Sequence, residues 1–221
     1  MTENKINSIN ESLVSKETLR TKWNDLCQRL NISNNQNFFN DITNHYSETH
    51  RHYHTLNHIN FCLQELEPVK NSLHNPEAVE LAIWFHDIIY TIGQNDNEDK
   101  SAKLAREFCK KNGLSSSFTE QIETHVLATK HISPGSDLDS QYLADIDMAI
   151  LGQSSDIFDE YENQIYQEYS TLYSKSDYQK GRKNFFEIVL KNPIYSTDYF
   201  KNKYQQSAEN NIKRIIANLQ N

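Results

Sequence analysis

Ala78-Val-Glu-Leu-Ala-Ile-Trp-Phe-His86-Asp87-Ile-Ile-Tyr90 is the stretch on which the reading of this chain turns. Its run of Leu, Ile, Trp and Phe places His86 and Asp87 near a protein interior. A carboxylate buried beside an imidazole is costly unless something neutralises it. A divalent metal ion does so, because both groups are good ligands for the harder divalent cations. The alternative is a hydrogen-bonded His–Asp pair that satisfies itself at a helix edge.

Working outward, the pattern is helical. Leu19, Trp23, Leu26 and Leu30 recur at helical spacing over residues 15–30, with Ser15 as the cap and Asn31 to Asn37 as a polar break. Further helices are expected over Phe38 to Tyr46, over His54 to Leu66, and after Asn75-Pro76 through His86-Asp87. Another starts at Asp96 or Asn97 and ends at Gly113, where glycine supplies the left-handed C-terminal residue. The next runs from Ser116 or Ser117 to about Lys130, followed by a Ser133-Pro134-Gly135 loop and a helix over Asp139 to Leu151. Helices near 154–173, 177–191 and 197–220 complete the chain. No stretch alternates as a strand does, so the expectation is one all-α domain, its metal site within about residues 50–150 and a C-terminal helical extension over about 154–220.

Composition narrows the function classes. The chain has 221 residues, long enough for one sizeable core, and only 5 Gly and 4 Pro, which favours long helices over many short strands. A net charge of −8 argues against a nucleic-acid duplex as the main partner. Cys27, Cys62 and Cys109 are far apart and form no CxxC pair, as expected of reduced thiols packed in helices. The start Met-Thr-Glu-Asn-Lys-Ile-Asn lacks an apolar signal region, and no window reaches 18 apolar residues. A cytoplasmic protein with no membrane partner is expected.

Two further elements carry chemistry. His54 and His58 lie four apart, so on a helix they share a face, a common metal-binding spacing. Thr55 follows the first histidine where a zinc protease needs Glu, which excludes that class. Asp145 and Asp147 diverge by roughly 200° on a helix, so they cannot both face one site. Asp147, before the apolar Met148-Ala149-Ile150-Leu151, is the candidate ligand, and Asp145 has a capping or ligand-orienting role.

The order His54-Thr55-Leu56, His86-Asp87 and Asp145-Ile-Asp147 resembles the HD superfamily of metal-dependent phosphohydrolases. More narrowly, Arg51-x-Tyr53-His54-Thr55-Leu56-x-His58-Ile59, Trp84-Phe85-His86-Asp87-x-x-Tyr90, Asp96-Asn97-Glu98-x-x-Ser101-Ala102 and Asp147-x-Ala149-Ile150-Leu151-Gly152 resemble a subgroup described as predicted HD phosphohydrolases. Gly181-Arg182 and Ile194-Tyr195 extend the likeness through nearly the whole chain. The chain departs from it at Tyr166 and Glu209, near positions where the family pattern has arginine.

The resemblance implies an HD-type helical fold with additional C-terminal helices. It makes His54, His86, Asp87 and Asp147 the ligands of one divalent ion (Mn, Fe, Ni, Co, Zn or Mg), possibly with a second. Water on that ion would attack the phosphorus of a small phosphorylated molecule, a nucleotide or related ester. The catalytic candidates are Glu98 and Asp96, either of which could be the general acid or base, and His58. His58 could instead bind phosphate, complete a second metal site or simply pack. Arg51, Lys130 and His131 are the substrate-binding candidates, and His125 a possible ligand of a second metal. The rivals are a di-iron oxygenase on the same scaffold, drawing on His58, His125 or His131, and a catalytically silent domain that binds a nucleotide or a protein partner through the Tyr-rich region 161–178. Oligomeric state and substrate identity are left open.

Overall fold

The structure, a computed structural model, describes residues 15–33, 36–131 and 135–219. The N-terminal segment read for a signal region and the Ser133-Pro134 part of the expected loop lie outside those residues. Ten α-helices make up the described chain: α1 (Lys16–Arg29), α2 (Gln36–His45), α3 (Leu56–Leu66), α4 (Pro76–Phe85), α5 (Asn97–Lys111), α6 (Ser116–Ala128), α7 (Leu138–Asp147), α8 (Ser155–Tyr169), α9 (Lys175–Val189) and α10 (Asp198–Asn218). Short 3-10 turns follow α3 (Glu67–Ser72) and α7 (Met148–Gly152). No strand occurs among the described residues, so the fold is all-α.

Local chemistry sets most of the boundaries. Ser15, Thr55, Asn75, Ser115, Asp137 and Ser174 each accept a backbone N–H of the helix they precede. Helix α1 ends where Asn31 takes a left-handed φ of 57° and the Ile32 N–H reaches back to the Cys27 carbonyl at 2.8 Å. Gly113 does the same for α5 with φ 72°. Several boundaries differ from the sequence reading: α7 ends at Asp147 and passes into a 3-10 turn, α8 ends at Tyr169, and two more differences bear on the site. The Thr55 cap starts α3 at Leu56, so His54 lies outside the helix. Helix α4 stops at Phe85, which leaves His86 at its C-cap and Asp87 in the following turn.

Packing centres on α4, whose residues Ala78 to Phe85 are all buried. One end of the core is aromatic. Trp23 meets Trp84 edge to face at 5.4 Å between ring centres, and Phe38 packs on Phe85 and Phe108 at 5.3 and 4.3 Å. Fully burying each such side chain stabilises the fold by about 1.5–3 kcal/mol. The cysteines pack in this core as buried thiols. The turn after α7 is clamped by α10: Asn211 Nδ2 donates to the Leu151 and Gln153 carbonyls at 3.0 and 2.9 Å, and Ser207 to the Gly152 carbonyl at 2.7 Å. A Cβ at Gly152 would collide with Tyr204, which explains glycine at this crossing. Asp145 accepts the Ser196 and Thr197 N–H groups at 2.8 and 2.7 Å and the Thr197 hydroxyl at 2.6 Å. It therefore joins α7 to the start of α10. It caps no helix N–H group itself, since Ser196 and Thr197 precede α10. Among the described residues no helix is long and apolar enough to cross a membrane.

Candidate metal centre

The end of α4, the first turns of α3 and the end of α7 meet at one buried point. His58 Nε2 lies 3.0 Å from His86 Nε2, 3.1 Å from Asp147 Oδ1 and 3.5 Å from Asp87 Oδ2. His86 Nε2 is 3.1 Å from Asp87 Oδ2 and 3.6 Å from Asp147 Oδ1. Ligand atoms sharing one ion at bonds of about 2.1 Å stand roughly 3.0–3.4 Å apart, so these separations suit a common cation. His54 joins from the outer side, with Nε2 4.0 Å from Asp87 Oδ2.

Neighbouring groups fix the imidazoles. His86 Nδ1 donates to the Ile83 carbonyl at 2.8 Å, so Nε2 is the ring nitrogen that faces the cluster and the one a cation would bond in place of its proton. His54 Nδ1 lies 2.7 Å from Glu168 Oε2, which does the same for its Nε2. His131 adds a third contact, with Nε2 2.8 Å from Asp147 Oδ2. Its backbone is left-handed with φ 52°, a conformation that costs a residue with a Cβ about 1–2 kcal/mol.

The electrostatics are those of a centre that gathers anionic oxygen. Burial pushes the Asp87 carboxyl up, but the His86 and His54 imidazoles outweigh it and hold the group well below the usual carboxylate range. Asp147 is held down in the same way, against burial, by hydrogen bonds from His131, His58 and His86. Burial lowers His86, yet Asp87 and Asp147 raise it well above an ordinary histidine. For His58 burial prevails and the pKa falls. Two carboxylates and several imidazoles around one point would be neutral with one dication. The residues present fit such an ion, and this donor cluster could hold one.

The other sequence candidates are placed differently. Arg51 is no surface clamp: its side chain is 0% exposed. Its guanidinium donates to the carbonyls of His54, Asp87 and Ile88 at 3.2, 2.7 and 2.9 Å and to Glu48 at 2.9 Å. Its donors are spent on the backbone that carries the ligands, which corrects the phosphate-binding expectation. Arg51→Lys keeps the charge but loses the fork, and should lower stability by about 2–3 kcal/mol in urea unfolding. Asp96 stands apart from the cluster, 44% exposed and paired with Lys100 at 2.8 Å. Glu98 is half-buried. Burial first, then the Asp87 and Asp147 charges, raise its pKa, so the field of the centre reaches it. Lys130 is engaged by Asp99 at 2.7 Å. His125 is held by Ser140 at 2.9 Å and lies outside the donor cluster.

Two members were not anticipated. Glu168, from α8, is 0% exposed and accepts the backbone N–H groups of His52, Tyr53 and His54 at 2.8, 2.8 and 3.0 Å. It also accepts the Tyr90 hydroxyl at 3.0 Å. Against burial, His54 and these N–H groups draw its pKa down to about 2. The helices after residue 154 thus supply part of the site rather than an extension beside it. Cys62 is the other: its Sγ lies 3.7 Å from His58 Nε2, and its donor atom clusters with those of His58, His86 and Asp147. The His58–Cys62 spacing of four along the chain was its only sequence signal.

Fold and site together define an all-α protein with a buried His, Cys and Asp cluster that could bind a metal. No protein-family model matches the chain, and neither a curated protein nor a solved structure matches it.

Proposed function

We propose that the chain is a divalent-metal-dependent phosphohydrolase of the HD type, acting on a small phosphorylated molecule such as a nucleotide or related phosphate ester. The observation that carries the reading is the convergence of His54, His86-Asp87 and Asp147, distant in sequence, with the Nε2 atoms of the two imidazoles turned inward by Glu168 and the Ile83 carbonyl. A divalent cation held by these residues supplies a Lewis acid that polarises a phosphoryl oxygen and lowers the pKa of a coordinated water.

The protein's own groups do the rest. Asp87 and Asp147 would supply the carboxylate oxygens that hold the cation, and His131 steadies the outer oxygen of Asp147. Glu98, with its pKa raised beside the centre, is the residue suited to move a proton between water and the leaving group. Closure of the site by Tyr90 and Tyr53, whose rings pack 4.1 and 5.1 Å from that of His54, excludes bulk water from one side.

Elemental analysis of the purified chain, followed by a phosphate-release screen over nucleotides with manganese or cobalt, tests this. The expected result is about one ion per chain and phosphate release that a chelator abolishes and manganese restores. Tight nucleotide binding without turnover would favour a silent binding domain. Two irons per chain with oxygen consumption would favour an oxygenase.

A further inference from the structure

Helix α3 presents two potential ligands on one face, and they are not the pair expected from the sequence. With the helix starting at Leu56, the residues four apart within it are His58 and Cys62. Both are buried, His58 at 2% and Cys62 at 0% exposure. Their side chains meet the end of α4 at His86 and the end of α7 at Asp147, and one donor atom from each of the four lies within 4.8 Å of every other. We propose that His58, Cys62, His86 and Asp147 form a second donor face of the same centre, built to take a thiophilic divalent cation of the zinc class. This deepens the metal-site reading above and rests on it.

The donors are a nitrogen–sulfur–oxygen set of the kind that zinc takes. A zinc ion bonded at about 2.3 Å to sulfur and 2.0–2.1 Å to nitrogen holds those two ligands roughly 3.6 Å apart. Here Cys62 Sγ lies against the ring, 3.7 Å from His58 Nε2 and 3.8 Å from Nδ1, and a turn of the cysteine side chain would bring it to the Nε2 side. On this face one thiolate and the Asp147 carboxylate would neutralise one dication, with two neutral imidazoles, and the nearby Asp87 adds one further negative charge. On coordination the thiol S–H bond breaks, a sulfur–cation bond forms and the proton leaves to solvent; nothing is oxidised or reduced. His86 and Asp147 belong to both faces. A soft ion is drawn towards the sulfur, whereas a hard one is drawn towards the Asp87 and Asp147 carboxylates. Metal choice is thereby a choice of position within a single cluster.

Cobalt reports on this directly. The purified metal-free protein is titrated with one equivalent of cobalt(II), bound cobalt is quantified by elemental analysis, and the near-ultraviolet spectrum is read for thiolate-to-cobalt charge transfer. The wild-type protein should show that band together with intense tetrahedral visible absorption. Cys62→Ser should lose the band, and its preference for zinc over manganese should fall at least tenfold. Bound cobalt without the band in the wild type would overturn the sulfur face while leaving a His and carboxylate site intact. A band that persists in Cys62→Ser would overturn it too, since another thiol would be the ligand. No bound cobalt at all would overturn both the sulfur face and the metal reading beneath it. The wild-type spectrum decides the matter even if the substituted protein fails to fold.

Discussion

Replacing Asp87 with Ala should drop bound manganese from about one per chain to below ~0.1 and phosphate release by at least ~10³-fold. The carboxylate sits 3.1 Å from His86 Nε2 and 3.5 Å from His58 Nε2, so its removal opens the oxygen-rich side of the cluster. What remains there is imidazole nitrogen, which holds a hard cation poorly. Helical content should be little changed, because Asp87 follows α4 rather than sitting within it and its backbone carbonyl still accepts from Arg51 at 2.7 Å. Far-ultraviolet circular dichroism and elemental analysis on the same sample check both halves. Full turnover by the Asp87→Ala protein would end the proposed mechanism.

Glu168 should show a second large effect, split between stability and metal affinity. Its carboxylate accepts three consecutive backbone N–H groups, the His54 ring and the Tyr90 hydroxyl. Truncation to Ala strands those buried donors and should destabilise the protein by about 3–5 kcal/mol. Glu168→Gln keeps the shape and one acceptor oxygen, so it should fold. It weakens the hold on His54 Nδ1, and manganese affinity should fall by roughly 10–100-fold. Isothermal titration of the Gln protein separates the two contributions. If Glu168→Gln binds manganese as tightly as the wild type, the carboxylate has no orienting role and serves the loop alone.

The helices were readable from sequence where a capping residue stood beside an apolar period, as at Ser15 with Leu19 and Trp23, or at Asn75 before Pro76. Of the site, His86-Asp87 was readable because a polar pair in a long apolar run must be neutralised, by a metal ion or by hydrogen bonds of its own. His54 and Asp147 were singled out through their pattern with that pair, and the structure brings all four together. The spacing argument for His54 and His58 used the wrong physics for a right neighbour. Thr55 caps α3, so His54 arrives through loop backbone held by Glu168 and not by sharing a helix face.

Arg51 was misread because a guanidinium near histidines looks the same in sequence whether it faces solvent or backbone carbonyls. Only the fold shows three carbonyls from two loops converging on it. Glu168 was illegible for a related reason. It stands 114 residues from the histidine it orients, and nothing local distinguishes it from the other acidic residues of α8.

The strap from Glu168 to the 52–54 backbone has a bearing on how the molecule is made. The helices that follow the 52–54 loop, α3 and α4, precede α8 in the chain, so these three N–H groups keep water as their partner until the Glu168 carboxylate is in place. The loop that carries His54 is therefore ordered late, by an element made after the rest of the cluster.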